Sequence, residues 1–207
     1  MARVDDYFNA KKIVVEKFAK TSISDIVKYS GFTLSDAQTF HIPFLNRIYR
    51  VSYPDFEFTD DADSKKEVPI QEQVLILHYM SAEKAVLPTG NWIAYREIPG
   101  ASFYFSAFVQ RAIDPLKKVF GNNIDGLSLA AKKINGEPID IGDVGFEFRV
   151  LPKVPIQMII YQGDEEFPAE ANILFDATAG EFLSPEDAAW LAGMVVYRLM
   201  ALVPRQV

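Results

Sequence analysis

Three adjacent carboxylates, Asp164, Glu165 and Glu166, stand in the segment Gly163-Asp164-Glu165-Glu166-Phe167-Pro168-Ala169. Like charges this close repel one another, so the segment either lies in water, which screens them, or meets something positive. A hard cation such as Mg²⁺ or Ca²⁺ answers that description, and so does a basic protein surface. Crowding also favours one carboxyl keeping its proton, the condition for a general acid. Successive side chains of an extended segment point to opposite faces, so at most two of the three would share a ligand. Asp164, Glu165 and Glu166 are the candidate metal ligands. Asp143 and Asp176, at the ends of predicted strands, complete the acidic set that an acid–base enzyme would draw on.

The second stretch with chemical content is Trp92-Ile93-Ala94-Tyr95-Arg96-Glu97-Ile98-Pro99-Gly100. Trp92, Tyr95 and Arg96 are the residue types enriched as anchors of pockets and interfaces, and Arg96 would serve as an anion clamp. The plainer reading is a core aromatic beside a surface arginine. An approach of Arg96 to Asp164–Glu166 would make a bidentate bridge or a polar binding centre. The two histidines, His41 and His78, have no orienting partner in sequence and read as structural. Asp60-Asp61-Ala62-Asp63 lacks the glycine and distant glutamate of a calcium loop and reads as a solvated loop. No dinucleotide fingerprint, P-loop, zinc-protease helix or serine elbow is present.

The 207 residues include 21 basic and 28 acidic side chains, a net charge of −7. Residues 1–133 carry 17 basic and 16 acidic groups, and residues 134–207 carry 4 and 12. The acidic excess therefore belongs to the last third. No basic stripe offers itself to a nucleic acid, so that partner is not expected. With no cysteine, a disulfide scaffold, a cysteine nucleophile and an iron–sulfur cluster on this chain are excluded. Asp5 and Asp6 stand where a secretory leader has its apolar run, and the expected location is cytoplasmic. The most apolar stretch, Ala188–Tyr197, is too short to span a membrane.

These residues need elements to place them. Asp5–Lys20 reads as a helix with Phe8, Val15, Phe18 and Ala19 on one face, followed by a short helix from Ser22 to Tyr29 stopped by Gly31. Phe40, Ile42 and Phe44 alternate, then Ile48, Tyr49 and Val51, which predicts a hairpin within Thr39–Phe58. A helix starts near Pro69 with Ile70, Val74, Leu77 and Ser81 on one side. Apolar residues from Phe105 to Phe120 recur at helical spacing, and Asp114-Pro115 predicts a division there into two helices. A further helix spans Ile124–Ile134. Strands are expected at Val144–Val150, Ile156–Tyr161 and Asn172–Phe175, and a buried helix capped by Ser184 closes the chain. The fold class is α+β: one mostly antiparallel sheet, joining the N-terminal hairpin to the C-terminal strands and packed by helices. A single domain over 1–207 is expected, with the helical segment 1–31 at its periphery.

Trp92-x-x-Tyr95-Arg96-x-x-Pro99-Gly100, Leu151-Pro152-x-Val154-Pro155, Asp164-Glu165-Glu166-Phe167-Pro168-Ala169 and Leu174-Phe175-Asp176 together resemble the bacterial and archaeal family Domain of Unknown Function 3786 (DUF3786), over about residues 8–202. The resemblance implies no established activity. It implies a supporting role near metallo- or corrinoid-protein chemistry, and some similar proteins carry an iron–sulfur cysteine segment that this chain lacks.

Two readings of function follow. In the first the chain is a non-catalytic binding or accessory domain for a small molecule or a basic protein surface, with Trp92, Tyr95, Arg96, Asp143, Asp164, Glu165, Glu166 and Asp176 as the candidate ligand-binding residues. In the second it is a carboxylate- or divalent-cation-dependent enzyme acting on a small molecule. Beyond a divalent cation no cofactor is indicated. A homodimer built on exposed aromatics is a third arrangement that 16 Phe residues allow.

Overall fold

A computed structural model describes residues 4–203. They fall into two compact units, one running to Leu87 and including Glu181–Leu183, the other comprising Pro88–Gly180 and the chain from Ser184.

The first unit opens with α1 (Val4–Lys17), which runs into a 3-10 turn (Phe18–Lys20) and then α2 (Ile23–Ser30). Ser22 caps α2 by accepting the Asp25 N–H, and Gly31 ends it at φ 77°, where a side chain would be strained. The buried stripe of α1 and its extension passes through Val14 and Phe18, one helical step apart, while Phe8 is exposed. The face expected from Phe8, Val15 and Ala19 is thus rotated. Both helices pack on α3 (Ile70–Met80). The strands β1 (Thr33–Asp36), β2 (Thr39–Phe44), β3 (Arg47–Ser52) and β4 (Phe58–Asp60) form an antiparallel sheet in that order. Phe40, Ile42 and Phe44 of β2 are buried and His41 faces the other way, as alternation requires. Phe18 stacks on Phe56 with ring centroids 4.6 Å apart. Almost every residue of α3 from Glu72 to Met80 is buried, so its apolar side is wider than a single stripe.

In the second unit β5 (Trp92–Ala94) and a 3-10 turn (Tyr95–Glu97) precede a long helical run: α4 (Phe105–Phe108), a π-turn (Val109–Ile113) and α5 (Asp114–Phe120). The chain continues through α6 (Ile124–Lys132), β6 (Glu137–Ile139), β7 (Val144–Leu151), β8 (Val154–Tyr161), β9 (Glu170–Asp176) and α7 (Pro185–Leu202). The five strands form an antiparallel sheet in the order β5-β9-β8-β7-β6. Packed against α7 are α4, the π-turn, α5 and α6. At Gly193 of α7, an added Cβ would lie 3.3 Å from the Arg111 carbonyl oxygen, so the glycine permits that close approach.

The α+β class holds, and two expectations are corrected. The N-terminal hairpin does not join the C-terminal strands, because both its edges are already taken by β1 and β4. The helix does not divide at Asp114-Pro115. Asp114 has helical dihedrals and makes no side-chain cap, and its N–H donates to the Val109 carbonyl five residues back. The wider π-turn moves backbone away from the proline ring, which an α-turn would crowd.

Ser184 starts α7 as the sequence predicts: its Oγ accepts the Asp187 N–H (3.1 Å) and donates to the Asp187 carboxylate (2.7 Å). Replacing it, Ser184→Ala, will cost about 1 kcal/mol of stability in urea denaturation. A change within 0.3 kcal/mol of zero would mean that the cap is replaced by water.

Candidate functional site

Asp176 ends β9 fully buried. Its Oδ2 accepts the N–H groups of Thr89 (2.9 Å) and Gly90 (2.7 Å), and its Oδ1 accepts from the N–H (3.0 Å) and hydroxyl (2.7 Å) of Thr178. Burial raises its pKa, and the donors from Thr178, Thr89 and Gly90 outweigh that and hold it below the ordinary value. Oδ2 thus ties the Thr89-Gly90 turn to the end of β9, and Oδ1 holds Thr178 just beyond it. Asp143 is exposed and accepts the Gln162 N–H at 2.7 Å, linking the segments beside β7 and β8.

Asp164, Glu165 and Glu166 lie exposed in the connection between β8 and β9. One oxygen of Asp164 accepts the Phe167 (2.7 Å) and Glu166 (2.8 Å) N–H groups, which lower its pKa. Crowding therefore does not make Asp164 the protonated member: backbone donors decide its charge. Among the described residues no group of three or more His, Asp or Glu side chains is arranged to hold a metal ion. The acidic loop at Asp60 is less solvated than expected. Asp60 is 2% exposed and paired with Arg47, and Arg50 pairs with Asp61 at 2.5 Å.

A groove of about 370 Å³ opens where β5 ends, lined by Ala94 to Arg96, by Phe105, Phe108, Val109 and Ile113, and by residues 171–174. Tyr95, a buried residue, is part of its lining. The ring stacks on Phe108 with centroids 4.1 Å apart, and the hydroxyl donates to the Pro185 carbonyl at 2.8 Å. Burial, then the nearby Tyr104 and Glu186, push the phenol pKa up to about 12, so it stays neutral. The Arg96 guanidinium lies 3.6 Å above the Phe105 ring centroid. It is exposed and makes no ion pair among the described residues. No acidic side chain and no other basic one lines the groove.

Of the residues read from sequence, the structure brings together Tyr95 and Arg96. Trp92 is half-buried in β5, in register with Asp176, and does not line the groove. Asp143, Asp164, Glu165, Glu166 and Asp176 do not line it either. The wall residues Phe105, Val109, Ile113, Asn172 and Ile173 were not legible as a site. The available signal was Pro115 inside an unbroken apolar period, which demands a local defect in the preceding turn.

The role of Asp176 has a pH signature. Asp176→Asn will lower stability by about 1–3 kcal/mol, because an amide offers one acceptor where two are used and turns its NH₂ toward donors. A lowered native pKa gives stability that is complete above the unfolded value of about 3.9 and is lost as pH falls through the lower folded value. The gap between wild type and variant, read by urea denaturation, will be constant near neutrality and shrink below about pH 4. A gap that widens on acidification would contradict the charge-based clamp.

A family model described as Domain of unknown function (DUF3786) matches residues 22–198, and no curated protein or solved structure matches significantly. That span takes in both units, including Tyr95, Arg96 and the groove wall; the chain belongs to the DUF3786 family.

Proposed function

We propose that the chain is a non-catalytic, cytoplasmic binding domain, and that the Arg96 groove takes an apolar ligand carrying an anionic group. The observation that carries this reading is the state of Arg96. Its guanidinium carbon lies over the Phe105 ring, without an ion-pair partner among the described residues, as the one charge on an apolar groove. A stacked guanidinium keeps its in-plane N–H donors free, and a carboxylate accepts two of them in parallel. The lining supplies no histidine, carboxylate, lysine, serine or threonine, and the Tyr95 hydroxyl is committed to Pro185. Binding is therefore better supported than turnover in this groove. The enzyme alternative rests on carboxylates, and the oxygens of Asp176 and one oxygen of Asp164 are spent on backbone donors. The accessory role beside metallo- or corrinoid-protein chemistry remains a proposal from the family resemblance.

The test is a titration with 1-naphthaleneacetate and 4-phenylbutyrate against their primary amides, followed by calorimetry. The acids will bind at least tenfold tighter than the amides, and Arg96→Gln will abolish that preference while leaving the amides unchanged. Phe105→Leu, which removes the stacking face, will weaken the acids about two- to fivefold, the worth of an exposed cation–π contact of roughly 0.5–1 kcal/mol. Equal binding of acids and amides, or an Arg96→Gln protein that still prefers acids, would sink the reading.

A further inference from the structure

We infer that the ligand of the groove is an elongated aliphatic monocarboxylate of about eight to ten carbons, lying along the groove with its carboxylate at Arg96 and its tail toward Ile113. This deepens the groove reading above and rests on it.

Two contacts fix how the helical run lies on β9. Toward one end, the rings of Phe108 and Phe175 have centroids 6.3 Å apart. Toward the other, Gly121 approaches Ala169 so closely that an added Cβ would lie 2.6 Å from the Ala169 Cβ. Phe108 to Gly121 is about 20 Å of helix at roughly 1.5 Å per residue, and Ala169 to Phe175 is about 20 Å of strand at roughly 3.3 Å per residue. The equal lengths mean that helix and strand run side by side in opposite directions. Ile113 then falls about 7 Å past Phe108, level with Ile173, and both residues line the groove.

The groove is therefore a trough whose helical wall, from Phe105 to Ile113, is about 12 Å long. A volume of about 370 Å³ over that length leaves a cross-section of roughly 30 Å². A strand with its side chains needs about 4.8 by 10 Å, so an extended peptide is too broad to lie within it. A single hydrocarbon chain is not.

The two ends differ in chemistry. The Arg96 guanidinium carbon lies over Phe105, the first residue of the helical wall, and no other charge lines the trough. The charge is thus terminal, and it matches a ligand with one anionic end. The rings are at this end and are engaged with one another: Tyr95 stacks on Phe108, and Phe105 carries Arg96. Beyond them the walls are Val109, Ile113, Ala171 and Ile173, all aliphatic. Asn172 is the polar residue of that half, and it is exposed. Aliphatic walls without a free ring face suit an alkyl tail. Such a tail advances about 1.25 Å per carbon, from C–C bonds near 1.5 Å, so about 12 Å holds roughly eight to ten carbons.

The test is calorimetry of the full-length protein with straight-chain carboxylates from butanoate to dodecanoate, each below its micelle concentration. Affinity will rise about two- to fourfold per added carbon, the worth of a methylene buried in part or in full, and will stop rising at about ten carbons. Arg96→Gln will weaken every member of the series by the same factor. Ile113→Phe, which fills the far end, will bring the break forward by about two carbons; should that variant not fold, the wild-type series decides alone. Affinity independent of chain length, or climbing unbroken to dodecanoate, would overturn the elongated ligand, as would an unmoved break in folded Ile113→Phe. If 1-naphthaleneacetate still binds through Arg96 in those cases, the groove reading survives alone. If neither it nor any carboxylate binds, both fall.

Discussion

Pro115 is the constraint around which the second unit is arranged. It has no N–H to donate, and its ring collides with the carbonyl four residues earlier in an α-helix. The helix runs on regardless, because the π-turn Val109–Ile113 inserts its wider ring just before the proline. That turn does two further things. It sets the Arg111 backbone against Gly193 of α7, and it presents Val109 and Ile113 to the groove. Helix packing and the groove wall are thus consequences of one local defect.

Much of the local structure was legible. Ser22, Gly31 and Ser184 sit at helix ends and act there through a hydroxyl or a left-handed dihedral, effects that need no tertiary partner. The alternation in β2 and β7 was readable for the same reason. Sheet membership was not. Whether the hairpin joins the C-terminal strands depends on β1 and β4, and all four residues of β1 are exposed, with no apolar alternation to mark them. The rotated face of α1 has a similar cause, since Tyr7, Val14 and Phe18 compete with Phe8 and Val15 and only packing on α3 decides between them.

The site shows the same division. Residue type marked Asp176 as chemical, but its role is fixed by where the N–H groups of Thr89 and Gly90 fall, and these are more than eighty positions away in sequence. Backbone donors are invisible in a sequence because nearly every residue has one. Tyr95 and Arg96 were found, since aromatic and guanidinium groups are scarce and carry their chemistry with them. What was missed is the pairing of Arg96 with Phe105, nine residues on, which turns an ordinary surface arginine into an oriented one.

The charge distribution bears on what such an arginine is for. Residues 134–207 carry 12 acidic and 4 basic groups, so an anion approaching them meets a field of its own sign. With a net charge of −7, long-range attraction is not what the chain as a whole offers an anion. An ion pair at an exposed position is worth little alone. For the ligand proposed for this groove the short-range terms are apolar burial against Phe105, Val109 and Ile113 and directional bonds to the guanidinium. Against a net charge of −7, an anion proposed for that groove has to satisfy shape and hydrogen bonds together, because charge alone gains it little.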